Sequence, residues 1–412
     1  MSESAEIAVV GAGVVGLAIA HRLASAGREV VVIDPAQPGS GASYGNAGTV
    51  ADYAVQPVGT PDVLRNLPSL LLDRNSPLAI RTAALPSLAP WLWRFARQSL
   101  PGAARRNAMA LAALLADAAP RWRSLSADID GGAILQDRGC LYWYRTDRAL
   151  AAAEADFRFR RSCGVAMERL TAPELAALEP GLPVDGGGAA FFPGALFMTD
   201  PGKMVGRLAN AAAARGATFV AGRVTLLSRR PGGVRLGGPG VALTARHAII
   251  AAGAHSRDLA RQAGDRIPLE TERGYHLEWD MDVPPLTRPV CPTDRGFYIC
   301  PMAGRLRVAG TVELGGLDAP PSPHRIARLR EGARSVFAGL PDPDRDWMGF
   351  RPSIPDSLPV IGPSSRGADV LFAFGHGHIG LTLAPVTAEM IAAQILGNAP
   401  LPGAAAVRAQ RF

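Results

Sequence analysis

Three glycines near the start of the chain, Gly11, Gly13 and Gly16, stand in the spacing G-x-G-x-x-G, and an acid, Asp34, follows eighteen residues after the last. Each has a separate physical job. Gly11 permits a tight turn, Gly13 lets the backbone approach a pyrophosphate, and Gly16 lets a helix pack closely on a strand. The start of that helix offers free N–H groups and partial positive charge to phosphates, and Asp34 can accept hydrogen bonds from ribose hydroxyls. The implied chemistry is dinucleotide binding, and the acid argues against the 2′-phosphate of NADP. A second cluster, Gly375, Gly377 and Gly380 in "VLFAFGHGHIGLTLAP", repeats the order of apolar run, glycine turn and helix near the other end. The first motif alone does not choose between NAD and FAD.

The elements that would position these turns are partly legible. Residues 6–11, "EIAVVG", read as a buried parallel strand. Val14, Leu17, Ala20 and Ala24 share one face of the next helix, with Gly27 as its C-terminal stop. "EVVVID" is a second strand ending in Asp34. The stretch after it, "PAQPGSGASYGNAGTV", is rich in glycine and small polar groups, and its Ser43, Asn46 and Gly48 suit close backbone contact with a ligand. Residues 62–125 read as helical, 139–144 ("GCLYWY") and 189–198 ("AAFFPGALFM") as strands. "TDPGKMVGRLANAAAARGATFVAGRVTLL" reads as a helix and a strand, with Thr199 or Asp200 as cap and Pro201 in the first turn. A hairpin follows through "RRPGG". Residues 245–256 form another buried strand whose end, Ala252 and Gly253, is placed to touch the cofactor again. Residues 265–315 alternate as in an antiparallel sheet, 323–339 read as a helix, and a final helix runs to about residue 396. The fold class is therefore α/β: a discontinuous Rossmann-like domain over 1–52, 196–262 and 346–412. A second, α+β domain on a mostly antiparallel sheet is inserted as 53–195 and 263–345.

Composition fits a globular chain, 48% hydrophobic and 19% charged. No apolar run reaches the roughly 18–20 residues that span a bilayer, and Glu3 and Glu6 stand where a secretory signal would be basic, so a cytoplasmic location is expected. Cys140, Cys163, Cys291 and Cys300 have no metal or redox spacing and read as free thiols, and the histidines form no ligand pattern, so no metal is expected. The net charge of +7 comes mostly from scattered arginines, which speaks against a dedicated nucleic-acid surface. The amphipathic stretch "LPSLAPWLWRFARQSL", with Trp91, Trp93, Arg94 and Arg97, suits a peripheral membrane contact or packing on its own domain.

With "GAGVVG" and Asp34, "SYGNAG", "ERGYH", "GTVELGG", "GFRPSIPDSLPVIG" and "GHGHIGLTLAP" in view, the chain resembles the FAD-dependent D-amino-acid oxidase superfamily over nearly its whole length. It is similar above all to the bacterial D-amino-acid dehydrogenase branch, including enzymes acting on hydroxy-D-proline. The resemblance implies FAD as cofactor, its pyrophosphate at the first turn and its reactive ring at the second. There the N–H groups and helix dipole of the Gly377–Leu381 region stabilise negative charge near N1 and the C2 carbonyl. It extends the cofactor set to Val14, Val15, Pro35, Ala47, Val224, His378, Ile379, Gly380 and Thr382.

Within that family, oxidation moves a hydride from the substrate α-carbon to flavin N5. The protein must bind the carboxylate and hold the C–H bond over the ring. Arg351 in "GFRP" is the expected carboxylate binder, because guanidinium and carboxylate pair bidentately. Tyr275 and His276 are candidate pocket residues, although strand alternation points them to opposite faces. Tyr298 in "GFYIC" is a further candidate, and Glu313 in "GTVELGG" one for meeting a substrate hydroxyl or amine. The expected reaction is oxidation of small D-amino or imino acids such as D-proline or hydroxy-D-proline, with a quinone, oxygen or a carrier protein as electron acceptor. A glycine, sarcosine or N-methyl-amino-acid oxidase is the alternative enzyme. An NAD-dependent reductase leaves the second glycine turn unexplained, and an RNA-binding flavoprotein rests only on the positive charge.

Overall fold

A computed structural model describes residues 4–72 and 78–412; Glu3, and positions 73–77 of the stretch expected to be helical, lie outside the described residues. Five parallel strands form the centre of one sheet, in the order Thr218–Ala221, Val30–Asp34, Ser4–Val10, Val241–Ile250, Gly367–Phe374. Parallel strands are covered on both faces, which is why they read as continuous apolar runs. In the first strand Ile7 and Val9 feed one core while Ala8 and Val10 feed the other. The strand Val241–Ile250 is shared: its first half pairs with the hairpin strand Gly233–Gly238 and its second half with Gly367–Phe374.

The two strand-to-helix junctions therefore flank one central strand. Their helices, Val14–Ser25 and Gly380–Leu396, pack side by side in the same core. Pro385 lies inside the closing helix and cannot donate to the Leu381 carbonyl. That carbonyl instead accepts the buried indole N–H of Trp122 at 2.8 Å. Gly397, in the left-handed conformation at φ 72°, ends the helix.

The second sheet is mostly antiparallel. Its order is Arg345–Ser353, Glu270–Asp280, Arg305–Leu314, Phe297–Met302, Val290–Pro292, Cys140–Tyr144, Gly188–Phe192, Glu168–Thr171, and a short strand Leu78–Ile80 also pairs with Arg305–Leu314. One face packs under the helix Pro323–Arg334. The other face carries Arg351, Trp347 and His276. The 62–125 stretch is four helices, Pro61–Leu72, Leu85–Gln98, Pro101–Leu115 and Ala118–Asp128, interrupted by the unforeseen strand Leu78–Ile80. The 189–198 run is two strands, Gly188–Phe192 and Leu196–Met198, and Asp200 rather than Thr199 caps the helix Pro201–Ala214.

One sequence expectation needs correcting. Residues 346–353 were assigned with the nucleotide-binding segments, but Arg345–Ser353 is an edge strand of the antiparallel sheet, paired to Glu270–Asp280 through Glu272↔Arg351 and His276↔Trp347. A strand that mixes arginines, aromatics and a glycine, RDWMGFRPS, gives no local sign of which sheet it joins.

Trp122→Phe keeps the ring but orphans the Leu381 carbonyl. It should destabilise the protein by about 1–3 kcal/mol, read as a lower denaturant midpoint; an unchanged midpoint would show that this bond contributes nothing.

Candidate cofactor and active-site cleft

Three parallel strands end in turns at the same edge of the sheet, at Gly11–Val14, Ala251–Gly253 and Gly375–Gly380. Their glycines divide into two kinds. A Cβ on Gly11 would sit 2.4 Å from the Ala251 carbonyl oxygen, and one on Gly16 would sit 2.0 Å from the Gly11 oxygen. These glycines serve the fold. A Cβ on Gly13 would meet only Ser43 Oγ at 3.4 Å, one on Gly377 only Ser353 Oγ at 3.9 Å, and one on Gly253 nothing within 4 Å. One glycine in each turn thus leaves open space, and together they outline a cleft along the sheet edge.

Polar groups line that space. Val14 N–H, at the helix start, donates to Ser43 Oγ at 2.9 Å, and Val15 lies in the same first turn. Asp34 ends its strand with Oδ2 accepting from Ala12 N–H at 2.8 Å and Oδ1 from Ala36 N–H at 2.9 Å, beyond Pro35. Gly222 N–H donates to the Asp34 carbonyl, which brings buried Val224 to the same end of the sheet. Along the loop, Asn46 Oδ1 accepts from Gly48 N–H at 2.8 Å, and Ala47 packs against the cluster of Phe197, Cys300 and Met302. At the second turn the helical ladder begins with Leu383 N–H to the Ile379 carbonyl, so the N–H groups of Gly380, Leu381 and Thr382 precede it. Thr382 Oγ1 accepts from Ala51 N–H at 3.0 Å and ties the loop to the closing helix.

The antiparallel sheet supplies the opposite wall. Arg351 is half-buried, and its Nη1 donates to the Thr311 carbonyl at 2.9 Å. Its guanidinium lies across Gly274, where a Cβ would come within 2.4 Å of Cζ. Among the described residues no carboxylate reaches salt-bridge distance of Arg351. Burial lowers its pKa, opposed by the charge of Glu272 across the strand pair; a guanidinium in that state is still a cation. Thr311 is buried, sits at φ 58° where β-branched residues are strained, and its Oγ1 has no hydrogen-bond partner among the described residues. Glu272 and Ser353 line one cleft with Gly375–Ile379, Trp91 and Phe95.

Further along the same wall His276 stacks on Trp347 at 5.0 Å, and its Nδ1 lies 3.2 Å from the Gly45 carbonyl oxygen. Arg307, fully buried, donates Nη1 to the carbonyls of Tyr44 (3.0 Å) and Asn46 (2.6 Å) and Nε to Glu278 at 2.8 Å. Burial would raise the Glu278 carboxyl, but Arg307 and Arg305 overcome that and hold it at about 2. Tyr298 also faces this side. Its hydroxyl lies 3.0 Å from that of Tyr142 and 3.3 Å from that of Tyr53, next to the cofactor-side loop rather than to Arg351.

Tyr275 and Glu313 do not reach this wall. The Tyr275 hydroxyl donates to Glu313 Oε2 on the face that packs against the helix Pro323–Arg334, and Glu313 Oε1 accepts from Arg81 at 2.9 Å. The cause is strand alternation: Glu272, Gly274 and His276 point to the cleft, Arg273 and Tyr275 away. A bulge opposite Arg273 and Tyr275 then sets Glu313 beside Arg273. In this arrangement both spend their polar atoms on partners away from the cleft. The contributions of Arg307, Gly274 and Thr311 were missed. Alternating Arg305 and Arg307 in a central strand was the available signal, since buried cations need partners.

Three imidazoles here are pushed below their ordinary range. Burial pushes His376 down to about 3, its Nε2 lying 2.9 Å from Thr387 Oγ1. Burial, helped by Arg307, brings His276 to about 4. Burial among its neighbours and the nearby Arg351 lower His378 too, but less firmly, because its ring is open to water. An unfolded chain protonates these rings near pH 6.5, a folded one only further down. Their stabilisation is thus complete above about pH 6.5 and declines toward pH 4, by up to about 1.4 kcal/mol per pH unit for each buried ring. The melting temperature should fall between about pH 6.5 and about pH 4.5, and His376→Asn should flatten that slope; an identical slope in the variant would contradict the neutral buried ring.

The space before Gly13, Gly253 and Gly377 and the free N–H groups at two helix starts fit a dinucleotide whose second half carries a ring needing support at the far end. The comparisons agree. The model of the family described as FAD dependent oxidoreductase (DAO) matches residues 6–394. The chain is 34% identical to a D-amino-acid oxidase of Bradyrhizobium diazoefficiens, over 97% of each chain. It is 32% identical to a D-amino acid dehydrogenase of Methylobacterium nodulans, over 96% of each. In fold it is similar to the glycine oxidase of Geobacillus kaustophilus, with TM-score 0.80, 23% identity and full coverage of both chains. The chain belongs to the DAO family of FAD-dependent oxidoreductases.

Proposed function

We propose that the protein oxidises small D-amino acids, with imino acids such as D-proline or hydroxy-D-proline as preferred substrates. The observation that carries this reading is Arg351, a half-buried cation without a carboxylate partner among the described residues. It stands close enough to His378 of the second glycine turn to depress that ring. The D configuration follows the names of the two curated relatives.

Arg351 would take the substrate carboxylate as a bidentate pair. The Thr311 carbonyl fixes one Nη and leaves the other guanidinium N–H groups for the ligand. Gly274 lets the guanidinium lie low on the sheet, which leaves depth above it. With His376 and His378 neutral, Arg351 is the strongest positive charge at this end of the cleft, so the carboxylate end is oriented without competition. Burial raises the pKa of the neighbouring Glu272 carboxyl, opposed by Arg351 and Ser353. Gly11–Val15, Ser43 and Asp34 would hold the FAD at the first turn and Gly377–Thr382 at the second, and it would supply the acceptor for the hydride of the substrate α-carbon. The N–H groups of Gly380–Thr382 favour the negative charge of the reduced state. We read the parallel-centred sheet as the cofactor domain and the antiparallel sheet, including Arg345–Ser353, as the substrate domain. Oxygen, a quinone or a carrier protein would take the electrons onward.

Arg351→Met should lower kcat/KM for the D-substrate by about 100-fold or more, equivalent to roughly 3 kcal/mol of lost charged hydrogen bonding. Flavin absorbance should stay intact. Near-normal kinetics in a flavin-replete variant would remove the assignment.

A further inference from the structure

The helices Leu85–Gln98 and Pro101–Leu115 make a corner with two unlike faces. Inward, Leu88, Trp91 and Phe95 are buried; Trp91 and Phe95 stack at 5.2 Å and line the cleft at the second glycine turn. Outward, one stripe of the first helix carries Leu85, Ala89, Trp93 and Arg97, and Arg105 and Met109 lie one turn apart on the second. Trp93 is 67% exposed, Leu100 and Met109 50% each, and Leu85 41%.

Scattered exposed apolar side chains are ordinary, so they decide nothing alone. The charge does. Between positions 78 and 116 the sequence holds Arg81, Arg94, Arg97, Arg105 and Arg106 and no Asp or Glu. Arg81 pairs with Glu313, and Arg121 beyond the corner pairs with Asp117. Arg94, Arg97, Arg105 and Arg106 are exposed and make no salt bridge among the described residues. Two helices that expose arginines, hold no acid of their own and are tipped with Trp, Leu and Met have the chemistry of a lipid interface. The arginines match anionic headgroups, and Trp favours the boundary between headgroup and acyl chain. Leu85, Leu100 and Met109 offer neither base stacking nor hydrogen bonds, which favours lipid over nucleic acid.

We propose that this corner docks the protein on an anionic bilayer, with Arg94, Arg97, Arg105 and Arg106 at the headgroups and Trp93, Leu100 and Met109 entering the interface. The same helix carries Trp91 and Phe95 into the cleft, so docking sets the cleft beside the membrane. This surface is independent of what Arg351 binds.

The test is sedimentation of the full-length, flavin-loaded protein with vesicles of phosphatidylcholine alone, or of phosphatidylcholine mixed with phosphatidylglycerol. Binding is expected on the mixed vesicles at low salt, release as salt rises, and little binding on the neutral ones. Trp93→Ser should weaken partitioning by about tenfold. The pair Arg94→Glu and Arg97→Glu should weaken it by at least 25-fold, since each basic residue near such a surface contributes about fivefold. Both variants should keep the parent's melting temperature and flavin spectrum, which separates lost docking from lost folding. No sedimentation with either vesicle, equal binding to neutral vesicles, or binding unaffected by both variants overturns the proposal. So does a protein that ignores vesicles while its corner retains RNA or pairs with a second copy.

Discussion

The guanidinium of Arg307 ties the antiparallel sheet to the loop that follows Asp34, the last residue of a parallel strand. Its bonds to the Tyr44 and Asn46 carbonyls fix a segment that has little regular structure of its own, and Glu278 holds the guanidinium in place. A buried ion pair is weak evidence for net stability, because desolvation offsets the attraction. Its effect here is positional. Without Arg307 the two loop carbonyls lose their donor, and Glu278 keeps only Arg305 and Arg345. Trp347 works to the same end: Gly45 and Gly349 leave room for its ring, which a Cβ at either would approach to 2.0 Å.

From that junction the rest of the site follows. The loop reaches the closing helix through Ala51 and Thr382, and that helix shares a core with the first one. The two glycine turns are therefore held at a fixed separation by the sheet below and by the loop above. The antiparallel sheet then brings Arg351 over the second turn, because Glu272↔Arg351 and His276↔Trp347 belong to one strand register. A slip of one residue in that register would turn Arg351 to the opposite face.

What the sequence showed well was local. The G-x-G-x-x-G turn, Asp34, the Asp200 cap and the buried parallel strands each carry their cause within a few residues. The second glycine turn was visible for the same reason. What stayed hidden depends on partners far along the chain. The strand Arg345–Ser353 declares its sheet only by pairing with Glu270–Asp280. Tyr275 and His276 were foreseen to face opposite ways, but which of them meets the cleft is decided by the helix Pro323–Arg334 covering one face. The side on which Glu313 falls is set by a bulge whose strained residue, Thr311, is not a glycine and so gives no warning in the sequence.

The most direct measurement is an anaerobic titration of the purified protein with paired D- and L-amino acids, followed by flavin absorbance. The account predicts a yellow protein bleached by D-proline or hydroxy-D-proline and not by the L-forms. A flavin bleached by the L-forms, or by no D-amino acid at all, would contradict it.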